Sequence, residues 1–127
     1  MHVLPLYAAL LALLFVGLSV RTLRLRKSLR IAIGDAGDPR MLRAMRVHSN
    51  FAEYVPLALI LLLLAELSGA PPLLLHALGI ALLMGRLAHA WGVSRADEQF
   101  QYRVAGMGLT FAVMLIAAGY LLLAWAR

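Results

Sequence analysis

The chain has 127 residues, of which 63% are hydrophobic and only 14% charged, and its mean hydropathy is +0.85. A soluble domain is about half apolar and about a quarter charged, so the composition excludes that class and predicts an integral membrane protein. The absence of cysteine excludes disulfides, thiolate metal sites and a cysteine nucleophile.

Four apolar segments are long enough to cross a bilayer, and they predict a single all-α domain, 1–127, built as a four-helix transmembrane bundle. The predicted helices span about residues 3–23, 39–67, 71–91 and 96–125. The basic cluster follows the first apolar run instead of preceding it, so we expect a retained helix and not a cleaved signal peptide.

Several residues predict how these helices begin, bend and end. Asp38 is expected to cap the second helix, with Pro39 in its first turn and Pro56 as a tolerated kink. Gly92 is expected to end the third helix. Gly106 and Gly108 are small enough for close helix packing. For the fourth helix, the expected cap is Ser94, and the acidic residues expected in its first turn are Asp97 and Glu98.

The basic residues are distributed unevenly, and the net charge of +6 is therefore expected to report topology and not nucleic-acid binding. The first connection and its flanks hold Arg21, Arg24, Arg26, Lys27, Arg30, Arg40, Arg43 and Arg46, the third holds Arg86, Arg95 and Arg103, and the opposite side has only Arg127. The positive-inside rule then places both odd-numbered connections in the cytoplasm and both termini outside.

The second segment opens with polar residues at helical spacing. Arg46, Asn50 and Glu53 fall at positions i, i+4 and i+7, which share one helix face. An ionisable group at the edge of a membrane segment is costly, so it is a functional-site hypothesis. Three predicted helices bring polar groups to the same, cytoplasmic, depth: Arg46, Asn50, Glu53, Arg86, His89, Tyr102 and Arg103.

A structural interpretation is also open. Glu53 would then form a salt bridge with Arg46, Arg86 or Arg103, within an ion-pair network that carries out no reaction. A small transporter is disfavoured because transport sites lie near the bilayer midplane. We expect no metal site, because the sequence has no HExxH motif and no histidines at ligand spacing on one helix.

The polar cluster is rich in arginine and amide groups and poor in nucleophiles. Arginine binds carboxylates bidentately, so the cluster suits a small zwitterionic ligand with several carboxylates. If the cluster is catalytic, its positive charge would lower the pKa of a bound acid.

The pattern Arg46-x-x-x-Asn50-x-x-Glu53-Tyr54-x-Pro56 resembles the second-helix signature of the MAPEG family, the membrane-associated proteins in eicosanoid and glutathione metabolism. The run from Gly85 through Arg86 to His89 is similar to the family's third-helix motif. Arg103 resembles the arginine that activates the glutathione thiol. The resemblance covers nearly the whole chain.

This resemblance implies a homotrimer with glutathione between neighbouring subunits, near the cytoplasmic membrane face. The glutathione-binding residues that it implies are Arg46, Asn50, Glu53, Tyr54, Arg86, His89 and, from an adjacent subunit, Arg26. Arg103 would stabilise the thiolate, which is the nucleophile.

The implied function is a bacterial-type glutathione transferase or peroxidase of the inner membrane. Its second substrate would be a lipophilic electrophile or hydroperoxide that enters from the bilayer. Val93 stands where some members have tyrosine, and Val104 where the prostaglandin E-forming member has serine. These departures argue against eicosanoid synthesis in particular.

Overall fold

The structure is a computed structural model that describes residues 2–97 and 99–126. It contains α1 (Leu4–Leu29), α2 (Pro39–Leu67), α3 (Pro72–Ser94) and α4 (Phe100–Trp125). All four are long and apolar enough to span a membrane, which confirms the predicted helical membrane fold.

Helix α1 continues well past its predicted end at residue 23. Leucine, arginine and lysine, which make up most of the extension, are good helix formers, so the helix extends beyond its apolar part. It ends where Arg30 adopts a left-handed conformation with φ 56° and its backbone N–H points back to the carbonyls of Arg26 and Lys27.

Helix α2 has the predicted bounds. The Asp38 carboxylate accepts hydrogen bonds from the backbone N–H groups of Arg40 at 2.8 Å and Met41 at 3.4 Å, as expected of an N-cap. The Arg40 side chain also binds this carboxylate, and together these bonds hold the pKa of Asp38 at about 2. Helix α2 continues through Pro56.

Helices α3 and α4 meet differently from the prediction. Gly92 does not end α3, which runs on to Ser94, and Ser94 therefore does not cap α4. Helix α4 begins only at Phe100, so Asp97 lies in the connection, where it pairs with Arg95 at 3.4 Å. Glu98 lies outside the described residues.

The α3–α4 contact is close because glycines face each other across it. A Cβ atom added to Gly106 would lie 2.5 Å from the Gly85 carbonyl oxygen and 2.7 Å from the His89 nitrogen. Gly92 packs in the same way against the first turn of α4. The prediction of close packing is thus confirmed for Gly106, whereas no described residue of the subunit lies close to Gly108.

The helices run antiparallel, so α1 ends and α2 begins at the same end of the bundle, called here the basic end. At the opposite end the Glu66 carboxylate accepts hydrogen bonds from the backbone N–H groups of Val3 and Leu4. This carboxylate satisfies donors at the start of α1 that have no partner within the helix. Near the basic end, the Ser19 hydroxyl and His48 Nε2 lie 3.0 Å apart and link α1 to α2.

The glycine contact leads to a stability prediction. Gly106→Ala is expected to lower the free energy of unfolding in detergent by about 1–3 kcal/mol, because the new methyl group overlaps the α3 backbone. Gly108→Ala is the matched control and should leave stability unchanged or raise it by up to about 1 kcal/mol, through helix propensity alone. Equal melting temperatures for the two variants would contradict the proposed packing.

Candidate functional site

A cavity of about 290 Å³, called here the site cavity, lies at the basic end between α2, α3 and α4. Its polar lining residues are Arg43, Arg46, Asn50, His89 and Arg103. Four of these, all except Arg43, were predicted as site residues from the sequence, and the fold brings them together from three helices.

Helix α2 supplies three of the polar groups from one face. Arg43, Arg46 and Asn50 are spaced i, i+3 and i+7, while Val47 and Phe51 turn into the core and fix the rotation of the helix. Sequence reasoning did not propose Arg43 as a site residue. Its spacing of seven from Asn50 was the signal that could have identified it.

Arg86 lies behind the cavity, buried in the bundle with 2% of its surface exposed. Its Nη1 donates to Asn50 Oδ1 at 2.8 Å, and its Nη2 lies 3.3 Å from both the Gly106 carbonyl oxygen and Met107 Sδ. Its Nε has no hydrogen-bond partner within the described parts of the chain. The family resemblance implies that Arg86 binds glutathione; in the subunit it lies behind the cavity lining, in contact with Asn50.

This contact sets the orientation of the Asn50 amide. An arginine can only donate hydrogen bonds, so the Asn50 oxygen must face Arg86. The amide nitrogen is then the part of Asn50 that can donate to a ligand.

The other two helices place His89 and Arg103. His89 is buried, with 5% of its surface exposed, one turn beyond Arg86 on α3. A Cβ atom at Gly92 would lie 2.9 Å from the Arg103 nitrogen, so Gly92 allows the first turn of α4 to approach α3. This close approach puts the exposed Arg103 side chain at the cavity.

Three predicted site residues lie elsewhere in the subunit. Glu53 is exposed and forms no ion pair with any residue in 2–97 or 99–126, so the salt bridge of the structural interpretation is not formed there. The Tyr54 ring packs edge-on against Phe111, with centroids 5.5 Å apart. Arg26 Nη1 donates to the Gly34 carbonyl oxygen at 2.9 Å in the first connection.

The site cavity is suited to an anion. Three of its lining residues are arginines. Its remaining lining residues, Pro39, Leu42 and Val93, are apolar. Guanidinium groups beside apolar surface bind carboxylates more strongly than they do in open water, because the local dielectric is lower.

Comparisons with known proteins support the same family as the second-helix signature. The sequence profile of the MAPEG family matches residues 4–123. The chain is similar to the protein named inner membrane protein YecN of Escherichia coli (strain K12), with 40% identity over 111 residues, which cover 87% of this chain and 83% of the relative. It has the same identity and coverage with the protein of that name from Escherichia coli O6:H1.

The buried arginine gives a second prediction. Arg86→Lys is expected to lower the free energy of unfolding by about 1.5–3 kcal/mol, because two different guanidinium nitrogens reach the acceptors on α2 and α4 and lysine has only one nitrogen. Chemical unfolding in detergent measures this change. Arg46→Lys, at an exposed arginine that lines the site cavity, should have little effect, and a loss as large as that of Arg86→Lys would contradict the role given to burial.

Proposed function

The chain belongs to the MAPEG family, and from this premise we propose that it binds glutathione in the site cavity and activates the thiol for attack on a lipophilic substrate. The observation that carries the proposal is the convergence of Arg46, Asn50, His89 and Arg103 on one cavity from three helices. These four are among the residues that match the family's motifs.

The chemistry of glutathione matches that of the cavity. Glutathione carries two carboxylates, which Arg43 and Arg46 would bind through paired N–H donors. Asn50 would donate through the amide nitrogen that its contact with Arg86 leaves facing the ligand. The apolar part of the lining would contact the aliphatic part of the peptide.

The size of the cavity favours a site that a second subunit completes. Its volume of about 290 Å³ is at the lower end of the range for small-molecule pockets, which is about 300–1,000 Å³. Glu53 is exposed beside it on α2. In the proposed homotrimer Glu53 would accept hydrogen bonds from the glutathione ammonium group, Tyr54 would contribute to the same face, and Arg26 would reach the ligand of an adjacent subunit.

Arg103 would promote ionisation of the thiol. A guanidinium group close to the sulfur favours the thiolate, because opposite charges stabilise each other at short range. In a transferase reaction the sulfur forms a bond to an electrophilic carbon, and the leaving group departs with the electron pair.

In a peroxidase reaction the thiolate attacks one oxygen of the hydroperoxide, the O–O bond breaks and an alcohol forms after protonation. The resulting sulfenic acid reacts with a second glutathione to give the disulfide and water. Both reactions start from the same thiolate, so the same site would serve either one.

The relatives are named as inner membrane proteins, and we place this protein in the same kind of membrane. The excess of arginine at the basic end would face the cytoplasm by the positive-inside rule. Glutathione would then enter from the cytosol, and the lipophilic substrate from the bilayer.

The thiolate is the first test. Adding glutathione to the purified protein should produce the ultraviolet absorbance of a thiolate, and Arg103→Ala should abolish this signal whereas Arg103→Lys keeps part of it. Arg95→Ala is the control, because Arg95 lies in the nearby connection but outside the cavity lining. An undiminished signal in Arg103→Ala would disprove the proposed mechanism.

The Glu53 carboxylate separates binding from a structural role. Glu53→Gln is expected to leave the melting temperature without glutathione unchanged, since Glu53 is exposed, and to reduce the stabilisation that added glutathione provides. The thermal shift at several glutathione concentrations measures both effects.

Glu66→Gln is the matched control on the same helix. Glu66 caps the start of α1, so this variant should lower the melting temperature without ligand and keep the glutathione-dependent shift. If Glu53→Gln behaved like Glu66→Gln, the structural interpretation would hold.

A further inference from the structure

A second and larger cavity, called here the lateral cavity, lies on another side of the basic end. Its volume is about 970 Å³, and it is bounded by the last turns of α1 and α3 and the first turn of α2. Its basic lining residues are Arg21, Arg24, Arg40 and Arg43. Arg43 and Pro39 also line the site cavity, so the two cavities are neighbours.

Helix α1 forms the floor of the lateral cavity with one continuous stripe. Gly17, Arg21, Arg24 and Ser28 follow at i, i+4, i+7 and i+11, which is one helix face. The stripe changes in character along its length. Gly17 and the neighbouring Val20 make the deeper part apolar, and the part nearer the basic end carries the arginines and a serine hydroxyl.

Two of these arginines have no acidic partner among the described residues. Arg21 Nη1 donates to the Ser94 hydroxyl, and Arg24 forms no hydrogen bond or ion pair within the part of the chain that the structure describes. Arg40, by contrast, is paired with Asp38 at 2.7 Å. The lateral cavity therefore holds positive charge that the described chain does not neutralise.

We propose that the lateral cavity binds an anionic phospholipid. The phosphate would lie between Arg21 and Arg24, and an acyl chain would lie against Gly17 and Val20. Basic pockets between transmembrane helices bind phosphate head groups in this way. A free anion would contact only the polar half of the cavity and would leave the apolar half filled with water. The lipid is therefore the occupant that matches both halves.

The space above Gly17 supports the place of the acyl chain. A Cβ atom added there would have no heavy atom within 4 Å. Glycine at this position lowers helix propensity, and it makes no close contact with another helix among the described residues. It does keep the apolar end of the lateral cavity open.

The test is a lipid titration of the whole protein in detergent, read by thermal shift and by native mass spectrometry. Phosphatidylglycerol should raise the melting temperature and stay bound, and phosphatidylcholine with the same acyl chains and inorganic phosphate should do neither. Equal stabilisation by inorganic phosphate would mean a simple anion site, and equal stabilisation by phosphatidylcholine would mean unselective lipid contact. Either result would overturn the proposal.

Variants separate a built site from diffuse charge. Arg24→Gln should weaken phosphatidylglycerol binding about fivefold, as expected for one arginine at a lipid phosphate. Lys27→Gln removes the same charge from an exposed position of α1 outside the lining and should change binding by less than twofold. Equal losses in the two variants would overturn the proposal.

A third variant tests the acyl chain without changing any charge. Gly17→Leu fits the open space, so it should preserve the fold and abolish phosphatidylglycerol binding by filling the apolar end of the cavity. Undiminished lipid binding in Gly17→Leu would overturn the proposal. Glutathione-dependent stabilisation, measured on the same samples, should stay intact in all three variants, because none of these residues lines the site cavity.

Discussion

The buried guanidinium of Arg86 is the interaction on which the arrangement of the basic end depends. Removing a cation from water costs several kcal/mol, and hydrogen-bond acceptors at fixed positions must offset that cost. Asn50 supplies one acceptor from α2, and the Gly106 carbonyl oxygen supplies another from α4. Arg86 itself is on α3, so its charge is stabilised only when three helices have their correct relative positions.

The glycines explain why the acceptors are within reach. Gly85 and Gly106 bring the α3 and α4 backbones so close that a main-chain carbonyl, and not a long side chain, accepts from Arg86. The Thr110 hydroxyl donates to the same Gly106 carbonyl oxygen at 2.9 Å, so this oxygen accepts from two side chains. Farther along the same contact, Gly92 positions the first turn of α4 and with it Arg103. The α3–α4 contact thus positions Arg103, proposed to ionise the thiol, and through Arg86 it orients the Asn50 amide.

Much of this architecture could be predicted from the sequence. The four helices follow from hydropathy, the bounds of α2 follow from its capping signals, and the meeting of Asn50, His89 and Arg103 follows from their common depth. The predicted end of α1 was wrong for a physical reason. Hydropathy reports which part of a helix suits a bilayer, whereas the helix itself continues until the left-handed residue Arg30.

Other features depend on contacts that no single segment shows. Glycine is typical of helix ends, but Gly92 lies within α3, where it packs against the first turn of α4. Glu53 shares a periodic pattern with Arg46 and Asn50, yet it is exposed beside the site cavity instead of lining it. The three residues share a helix face, but Glu53 lies about 10 Å farther along the helix axis than Arg46. Only the positions of the neighbouring helices decide how far along that face the site extends.

The excess of arginine at the basic end has a meaning beyond topology. The positive-inside rule accounts for the number of basic residues on one side of a membrane, but it says nothing about their spacing along a helix. Here the order is regular: Arg21 and Arg24 share a face of α1, and Arg43 and Arg46 share a face of α2. These four arginines line the two cavities, whereas Lys27, one turn after Arg24, lies outside both linings. This difference supports the two proposed anion sites, with Arg43 lining both cavities, as a reason for part of this distribution of charge.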